Sequence, residues 1–410
     1  MPGALRTVAV AAILLAPTAL AFRSGGYFDQ PRLVAAIATW ALVAILAVSA
    51  RRPLPAGAPG RLALAGLAVL TALVGLSIAW APLAGPAQAD VQRLLLYLGA
   101  LVVASAVLRG RAQRRLVEPA LLAGALVVCA YGLGGRLLPG IVSQSVSSSA
   151  FGRLEQPLTY WNAMGMLGAL GVVFGARLAA DATRDARLRA AAAAGAVPCG
   201  LVVYLSFSRG ALLALAVGLA LLVLLSRERV QLRAALAIVA PTAAVCLLAG
   251  LLDGPRALEG SLGAREAQGA VLLAALVAAA AVAATPAPRR AGVAAGGPQR
   301  ALPHGAAGAM LAVLGGFLIA AGGSGGARGE PAVGAQTQRL ASVESNRYAY
   351  WRVAAAMFAR EPLAGEGSGA FRVAWRRDRT IDDPALDAHS LYVETAGELG
   401  LLGLLALAAF

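Results

Sequence analysis

The chain is a succession of apolar stretches, each long enough to cross a lipid bilayer, and this limits its fold more than any other feature. A spanning helix needs about 20 mostly apolar residues. Twelve segments meet that rule: 6–22, 33–50, 62–80, 91–108, 116–133, 158–178, 190–207, 210–225, 232–252, 270–284, 305–321 and 390–410. The 270–284 segment is the shortest and richest in alanine. In hydrocarbon the chain must satisfy its own backbone N–H and C=O groups, so stretches of this length form helices. The expected fold is all-α: a polytopic membrane protein of about 12 transmembrane helices with one long outer loop. Composition excludes the alternatives, because 59% of residues are hydrophobic, only 13% are charged and the mean hydropathy is +0.73. A soluble domain carries about 25% charged residues, and a disordered chain lacks this much apolar surface. The apolar N-terminus has no small-x-small cleavage site leading into a soluble domain, so it reads as the first span. Cys129, Cys199 and Cys246 lie inside apolar stretches, without metal-ligand or thiol-pair spacing, and read as packing residues.

The net charge of +15 rests on 35 basic residues, all of them arginine. Eighteen fall in one set of alternate loops and eight in the other; the remaining nine lie in one long segment of the second side. Short cytoplasmic loops are enriched in basic residues, so the first set marks the cytoplasm. Most of the excess charge is therefore an orientation signal and not the mark of a nucleic-acid partner. The nearly continuous apolar run 190–225 lies between two basic loops. It must cross and return, turning at 208–210, which leaves Arg209 at the outer boundary, where the orientation rule gives it no reason to be.

Three regions follow: a bundle of about 11 spans over 1–321, an outer loop over 322–388, and a last span over 389–410 that reads as truncated. The outer loop opens on glycines at 322–326 and then carries an amphipathic helix over 342–360, with Tyr348, Trp351, Ala355 and Phe358 at spacings of three and four. Pro362 ends that helix, and Gly365-Glu366-Gly367-Ser368-Gly369 follows as a turn. A segment of this length on a compact membrane protein reads as a lid or binding loop.

Four places on the outer side carry residues suited to chemistry. Arg153, Tyr160, Trp161 and Asn162 lead into a span. The aromatics are ordinary interface anchors, and Arg153 and Asn162 read either as polar contacts or as plain loop and helix-start residues. Ser208-Arg209-Gly210 places a charge at the hydrocarbon edge, which points to function or to an ion pair. Arg347 sits beside Asn346, with Trp351 four residues on; an arginine fork matches phosphate oxygens, whereas Arg352 and Arg360 read as a solvated face. His389 stands where the loop enters the last span, with Asp387 or Glu394 available to orient it. His304 lies at a cytoplasmic boundary without such neighbours. Arginines without a metal-ligand cluster suit a diphosphate leaving group, and a histidine suits deprotonation of a hydroxyl.

These residues sit in stretches that resemble the O-antigen ligase and polymerase superfamily of bacterial membrane glycosyltransferases. The stretches are Pro157-Leu158-Thr159-Tyr160-Trp161-Asn162-Ala163-Met164-Gly165, Ser206-Phe207-Ser208-Arg209-Gly210-Ala211 and Asn346-Arg347-Tyr348-Ala349-Tyr350-Trp351. Two more run from Pro362 through the glycine-rich turn to Phe371, and from Ala388-His389-Ser390-Leu391-Tyr392 to Gly400. The first 150 residues match only as a run of helices. The resemblance implies a fold similar to the polyprenyl-dependent, GT-C-like glycosyltransferases and a metal-independent reaction without cofactor. A glycan would move from an undecaprenyl-diphosphate-linked donor to an acceptor hydroxyl on a glycan or lipid, at the outer face of the bacterial cytoplasmic membrane. By motif match Arg209 and Arg347 would clamp the diphosphate and His389 would activate the acceptor. Arg153 would be a secondary contact, with Asn162, Tyr160, Trp351 and Tyr392 as further substrate contacts. A repeat polymerase of the same superfamily and a transporter or flippase for a lipid-linked glycan are the alternatives; a structural scaffold would tolerate alanine at the three principal positions.

Overall fold

The computed structural model describes residues 3–49, 54–55, 57–285, 335 and 346–410. Among the described residues there are fourteen α-helices and no strand. They are α1 (Gly3–Ala21), α2 (Asp29–Ser49), α3 (Ala58–Ser77), α4 (Ala84–Val107), α5 (Arg111–Leu137), α6 (Trp161–Ala180) and α7 (Ala186–Leu205). Then follow α8 (Arg209–Ser226), α9 (Arg229–Gly250), α10 (Asp253–Ala257), α11 (Leu262–Ala284), α12 (Arg347–Arg360), α13 (Phe371–Asp378) and α14 (Leu391–Ala409). Eleven of these helices are long and apolar enough to cross a membrane. Each corresponds to one expected span, so the chain is a multi-pass membrane protein. The expected span 305–321, His304, the glycines at 322–326 and residues 342–345 lie outside the described residues.

Two expected spans need correction. The alanine-rich segment expected at 270–284 belongs to a 23-residue helix that begins at Leu262. The Ser261 hydroxyl accepts the Ala264 N–H at 3.3 Å, and the first five residues of the helix include Arg265 and Glu266. An apolar window misses that stretch because its charges sit at the helix end. The last span is not one continuous helix, since Gly400 breaks it at φ 62° and ψ −155°.

The chain divides into two compact units. One comprises Met1–Ile13, Gly26–Arg114 and Glu344–Phe410; the other comprises Leu14–Gly25 and Arg115–Val343. In the first, α4 packs on α2 and α3, while α14 packs on α3 and α12. A Cβ on Gly66 of α3 would stand 2.5 Å from the Phe410 backbone nitrogen, so these helices meet backbone to backbone. Arg32 of α2 is buried, and its two terminal guanidinium nitrogens bond the Asp29 carboxylate at 2.5 Å, the Gln92 amide oxygen at 3.0 Å and the Tyr27 carbonyl at 2.8 Å, while its Nε is left without a partner. Burying a charge is tolerated where an ion pair and hydrogen bonds offset the lost hydration.

In the second unit α7 is the central helix, packed by α6, α9 and α11. Its fit to α6 depends on small residues. Cβ atoms added at Gly168, Gly171 and Gly175 would approach the Cys199 carbonyl, the Cys199 Sγ and the Ala196 Cβ to 2.6 Å each. Membrane helices lack a hydrophobic drive toward one another and associate through such close contact. Cys199 thereby packs, as its apolar setting suggests, and Cys129, Cys199 and Cys246 are all buried free thiols. Gly171→Leu should lower the melting temperature of the detergent-purified protein, at a cost of about 1–3 kcal/mol. Gly263→Leu, where a Cβ meets nothing within 4 Å, should leave it unchanged.

Candidate functional site

In the first unit, α12 starts at Arg347 and buries Tyr350, Val353, Ala354 and Met357. This corrects the expected apolar stripe: Tyr348 is 60% exposed, Ala355 is exposed, and only Trp351 and Phe358 are half-buried. Both sets have helical spacing, and only the neighbours, α13 and α14, determine which face is covered. Tyr350 meets the fully buried Trp375 edge to face at 4.9 Å, and Trp375 stacks on Phe371. Asp383 ties α12 to the loop that follows α13. Its carboxylate accepts the Tyr350 hydroxyl at 2.5 Å and the Asn346 amide at 2.7 Å, and its carbonyl accepts the Trp375 indole N–H at 2.6 Å. Burial and the Asp383 carboxylate push the Tyr350 phenol above its usual range.

His389 follows from this scaffold. The Trp351 indole donates to the Ala388 carbonyl at 3.2 Å, and the Ala388 N–H donates to Glu394 Oε2 at 2.8 Å. Between these bonds and Ser390 the backbone of His389 is forced to φ 54°. A non-glycine residue there costs about 1–2 kcal/mol, and such strain collects where geometry serves function. The imidazole lies 5.4 Å from the Tyr350 ring. Burial, and then the positive charge of Arg347, pull it below the ordinary histidine range, with Asp387 and Asp383 opposing. Glu394 holds the Ala388 backbone and not the imidazole, which corrects one of the two orienting roles expected for carboxylates. Tyr348 and Trp351 form an aromatic pair at 5.7 Å beside Arg347, and Tyr392 is exposed.

The stretch Gly365-Glu366-Gly367-Ser368-Gly369 is not a simple turn. At the Gly400 break the usual bonds of Leu401 to Gly397 and of Leu402 to Glu398 are replaced. Leu401 and Leu402 donate to the carbonyls of Pro362 and Leu363 at 2.8 and 3.2 Å. The Gly397 and Glu398 carbonyls accept from Glu366 and Gly367 at 3.1 and 2.8 Å. Ser368 closes the other side, with its N–H on Ser77 Oγ at 3.1 Å and its hydroxyl on Asp90 at 2.8 Å. A Cβ on Gly365, at φ 68°, would stand 2.2 Å from the Glu398 carbonyl carbon, so only glycine fits.

The second unit holds the remaining expected residues. Arg153 is 3% exposed, with its guanidinium 3.5 Å from the Trp161 ring centroid and bonds to the Ala150 and Ser149 carbonyls at 2.7 and 2.8 Å. It is therefore not a plain exposed loop residue. The Asn162 amide donates to the Tyr160 hydroxyl at 2.7 Å, and Tyr160 packs on Trp161. Arg209 is half-buried at the first position of α8, where Ser208 caps the helix by accepting the Ala211 N–H at 3.2 Å. A Cβ on Gly210 would meet nothing within 4 Å, which leaves room beside Arg209. Phe151, Thr159 and Phe207 have φ of 47°, 57° and 48°, so strained backbone recurs in these stretches as it does at His389. Among the described residues no group of three or more His, Cys, Asp or Glu side chains is placed to hold a metal ion.

A family model described as O-antigen ligase matches residues 194–408, just over half of the chain. The chain belongs to the O-antigen ligase family. No curated protein and no solved structure matches it. The O-antigen ligase match takes in Arg209, Arg347 and His389 and the break in α14; Arg153, Tyr160 and Asn162 lie before it. Family membership makes this a glycosyltransferase-like membrane enzyme of ligase or polymerase type.

Sequence reasoning missed Asp383 and Glu398 as supports of this site, and it named Glu394, but for the imidazole and not for the Ala388 backbone. Glu398 is buried and accepts the Phe371 N–H at 3.0 Å, which anchors the start of α13. Its signal was present, since two glutamates four residues apart in an apolar span are costly unless used. Asp383 carried no such signal in a polar loop. Gly365→Ala should cost at least about 1–3 kcal/mol, because the backbone is strained and the site overpacked. Thermal unfolding in detergent would show it, with Gly85→Ala, open to space, as the neutral control.

Proposed function

We propose that this member of the O-antigen ligase family transfers a glycan from an undecaprenyl-diphosphate-linked donor to an acceptor hydroxyl, at the outer face of the bacterial cytoplasmic membrane. The observation that carries the reading is His389, held on a strained backbone by bonds on both sides of Ala388 and influenced by the charge of Arg347. The neutral imidazole takes the acceptor proton. The acceptor oxygen then attacks the anomeric carbon, whose bond to the diphosphate oxygen breaks, and the proton passes from the imidazolium to solvent. Arg347 and Arg209 offer guanidinium forks to the diphosphate oxygens, where charge accumulates as the leaving group departs. Trp351, Tyr392, Tyr160, Asn162 and Arg153 supply aromatic and polar contacts to the glycan. Nothing in the reaction calls on nucleic acid.

Two alternatives share parts of this site. A polymerase would use the same groups with a growing glycan as acceptor, and analysis of products from a defined lipid-linked donor separates it from a ligase. A transporter would favour a broken membrane helix, and α14 is broken. Its freed backbone groups, however, are bonded to 362–367 and not open to a passing ion.

His389→Ala should abolish transfer in a reconstituted assay while leaving membrane insertion and donor binding intact. Undiminished turnover would remove the base assignment. In the wild type, falling pH protonates His389 only below its lowered pKa. The acid limb of kcat/KM should therefore lie under the ordinary histidine value of about 6.5, with a plateau above it. Arg209→Lys should raise the donor KM on the order of tenfold, because a point charge replaces a bidentate fork.

A further inference from the structure

The second unit contains a cavity of about 180 Å³ where α5 ends, α11 begins and the 138–160 connection folds back. Arg136, Arg153 and Arg265 line it, together with Glu155, Gln144 and Gln156. Arg136 is 5% exposed and held rigidly: its guanidinium donates to the Pro255 and Arg256 carbonyls at 3.1 Å each and to the Gly152 carbonyl at 2.7 Å. Arg153 is fixed on carbonyls and on the Trp161 ring as described above. The Nε of Arg265 is buried without a hydrogen-bond partner. The one carboxylate in the wall among the described residues, Glu155, is turned to the Ser147 N–H at 2.6 Å and the Ser147 hydroxyl at 2.7 Å.

Among the described residues three guanidiniums and one carboxylate line this partly buried cavity, with Arg136 and Arg153 buried and Arg265 half-buried. Holding like charges out of water is costly unless an anion completes the site. The amides of Gln144 and Gln156 add neutral groups suited to hydroxyls, and a single carboxylate in the wall opposes a strongly charged guest. Of the six charged and amide side chains that line it only Arg265 falls within the stretch matched by the O-antigen ligase model, so the chamber is largely built from the part of the chain outside that match.

We propose that this cavity is a binding subsite for a hydroxylated ring bearing an oxyanion, a sugar acid or a sugar phosphate. It selects acidic glycans independently of the transfer chemistry. The proposal stands on the cavity alone, so binding can be tested apart from turnover.

Calorimetric titration of the full-length, detergent-purified protein with glucuronate, glucose 6-phosphate and glucose tests it. Saturable binding of glucuronate is expected, with at least tenfold weaker binding of neutral glucose. Arg265→Gln should reduce glucuronate affinity at least tenfold with an unchanged melting temperature, and Arg265→Lys should fall between. Should Arg265→Gln fail to fold, the Lys variant alone provides the comparison. Binding of glucose 6-phosphate in place of glucuronate, also lost in Arg265→Gln, would keep the subsite and identify phosphate as the anionic group. Absence of binding by either anion, equal binding of glucose, or affinity untouched by both substitutions would overturn the proposal. Loss of transfer in His389→Ala with glucuronate binding retained would separate this subsite from the catalytic reading.

Discussion

Backbone hydrogen bonding inside a lipid bilayer leaves no freedom for open ends, and the first unit depends on how one break is closed. An unsatisfied N–H or C=O in hydrocarbon costs several kcal/mol. The last span nevertheless breaks at Gly400, and four backbone groups lose their helical partners. Residues 362–367 supply replacements for all four. The same contact draws Ser368 onto Ser77 and Asp90 and draws the start of α13 onto Glu398. Once α13 is anchored, Trp375 and Phe371 have a fixed place against Tyr350.

From that anchor the chemistry follows by short steps. Tyr350 and Asn346 hold Asp383, Trp351 and Glu394 hold the two sides of Ala388, and His389 takes the conformation that remains. Its strain is sustained because the surrounding bonds over-determine it. The positive charge of Arg347 and partial burial both favour a neutral imidazole, the form that can accept a proton. Polar groups that look incidental in the sequence thus act through the backbone and not by touching the imidazole.

The arginines divide by the job each position allows. Loop arginines of the basic set are the ones a membrane-orientation signal would require. Arg32 is neutralised in place by Asp29 and hydrogen-bonded by Gln92, and Arg360 pairs with Glu366 at 2.7 Å. Arg136 and Arg153 are held by carbonyl oxygens in the wall of a cavity, where burial is expensive and the geometry is rigid. Arginine abundance alone says nothing about which of these applies; burial and partners do.

The sequence by itself determined the membrane class and the described spans, because length and hydropathy are local properties, and it singled out the short stretches proposed to carry the chemistry, because charges in apolar surroundings stand out. Eleven described helices fall on expected segments for that reason. It could not determine which stripe of α12 is buried, since Tyr348–Trp351–Ala355–Phe358 and Tyr350–Val353–Ala354–Met357 both have helical spacing and only the packing of α13 and α14 distinguishes them. Nor could it show that residues 362–367 repair a break 30 or more positions further on, or that Glu394 serves Ala388 and not His389. Those outcomes belong to the tertiary structure, because a hydrogen bond between distant segments leaves no periodic trace in either one.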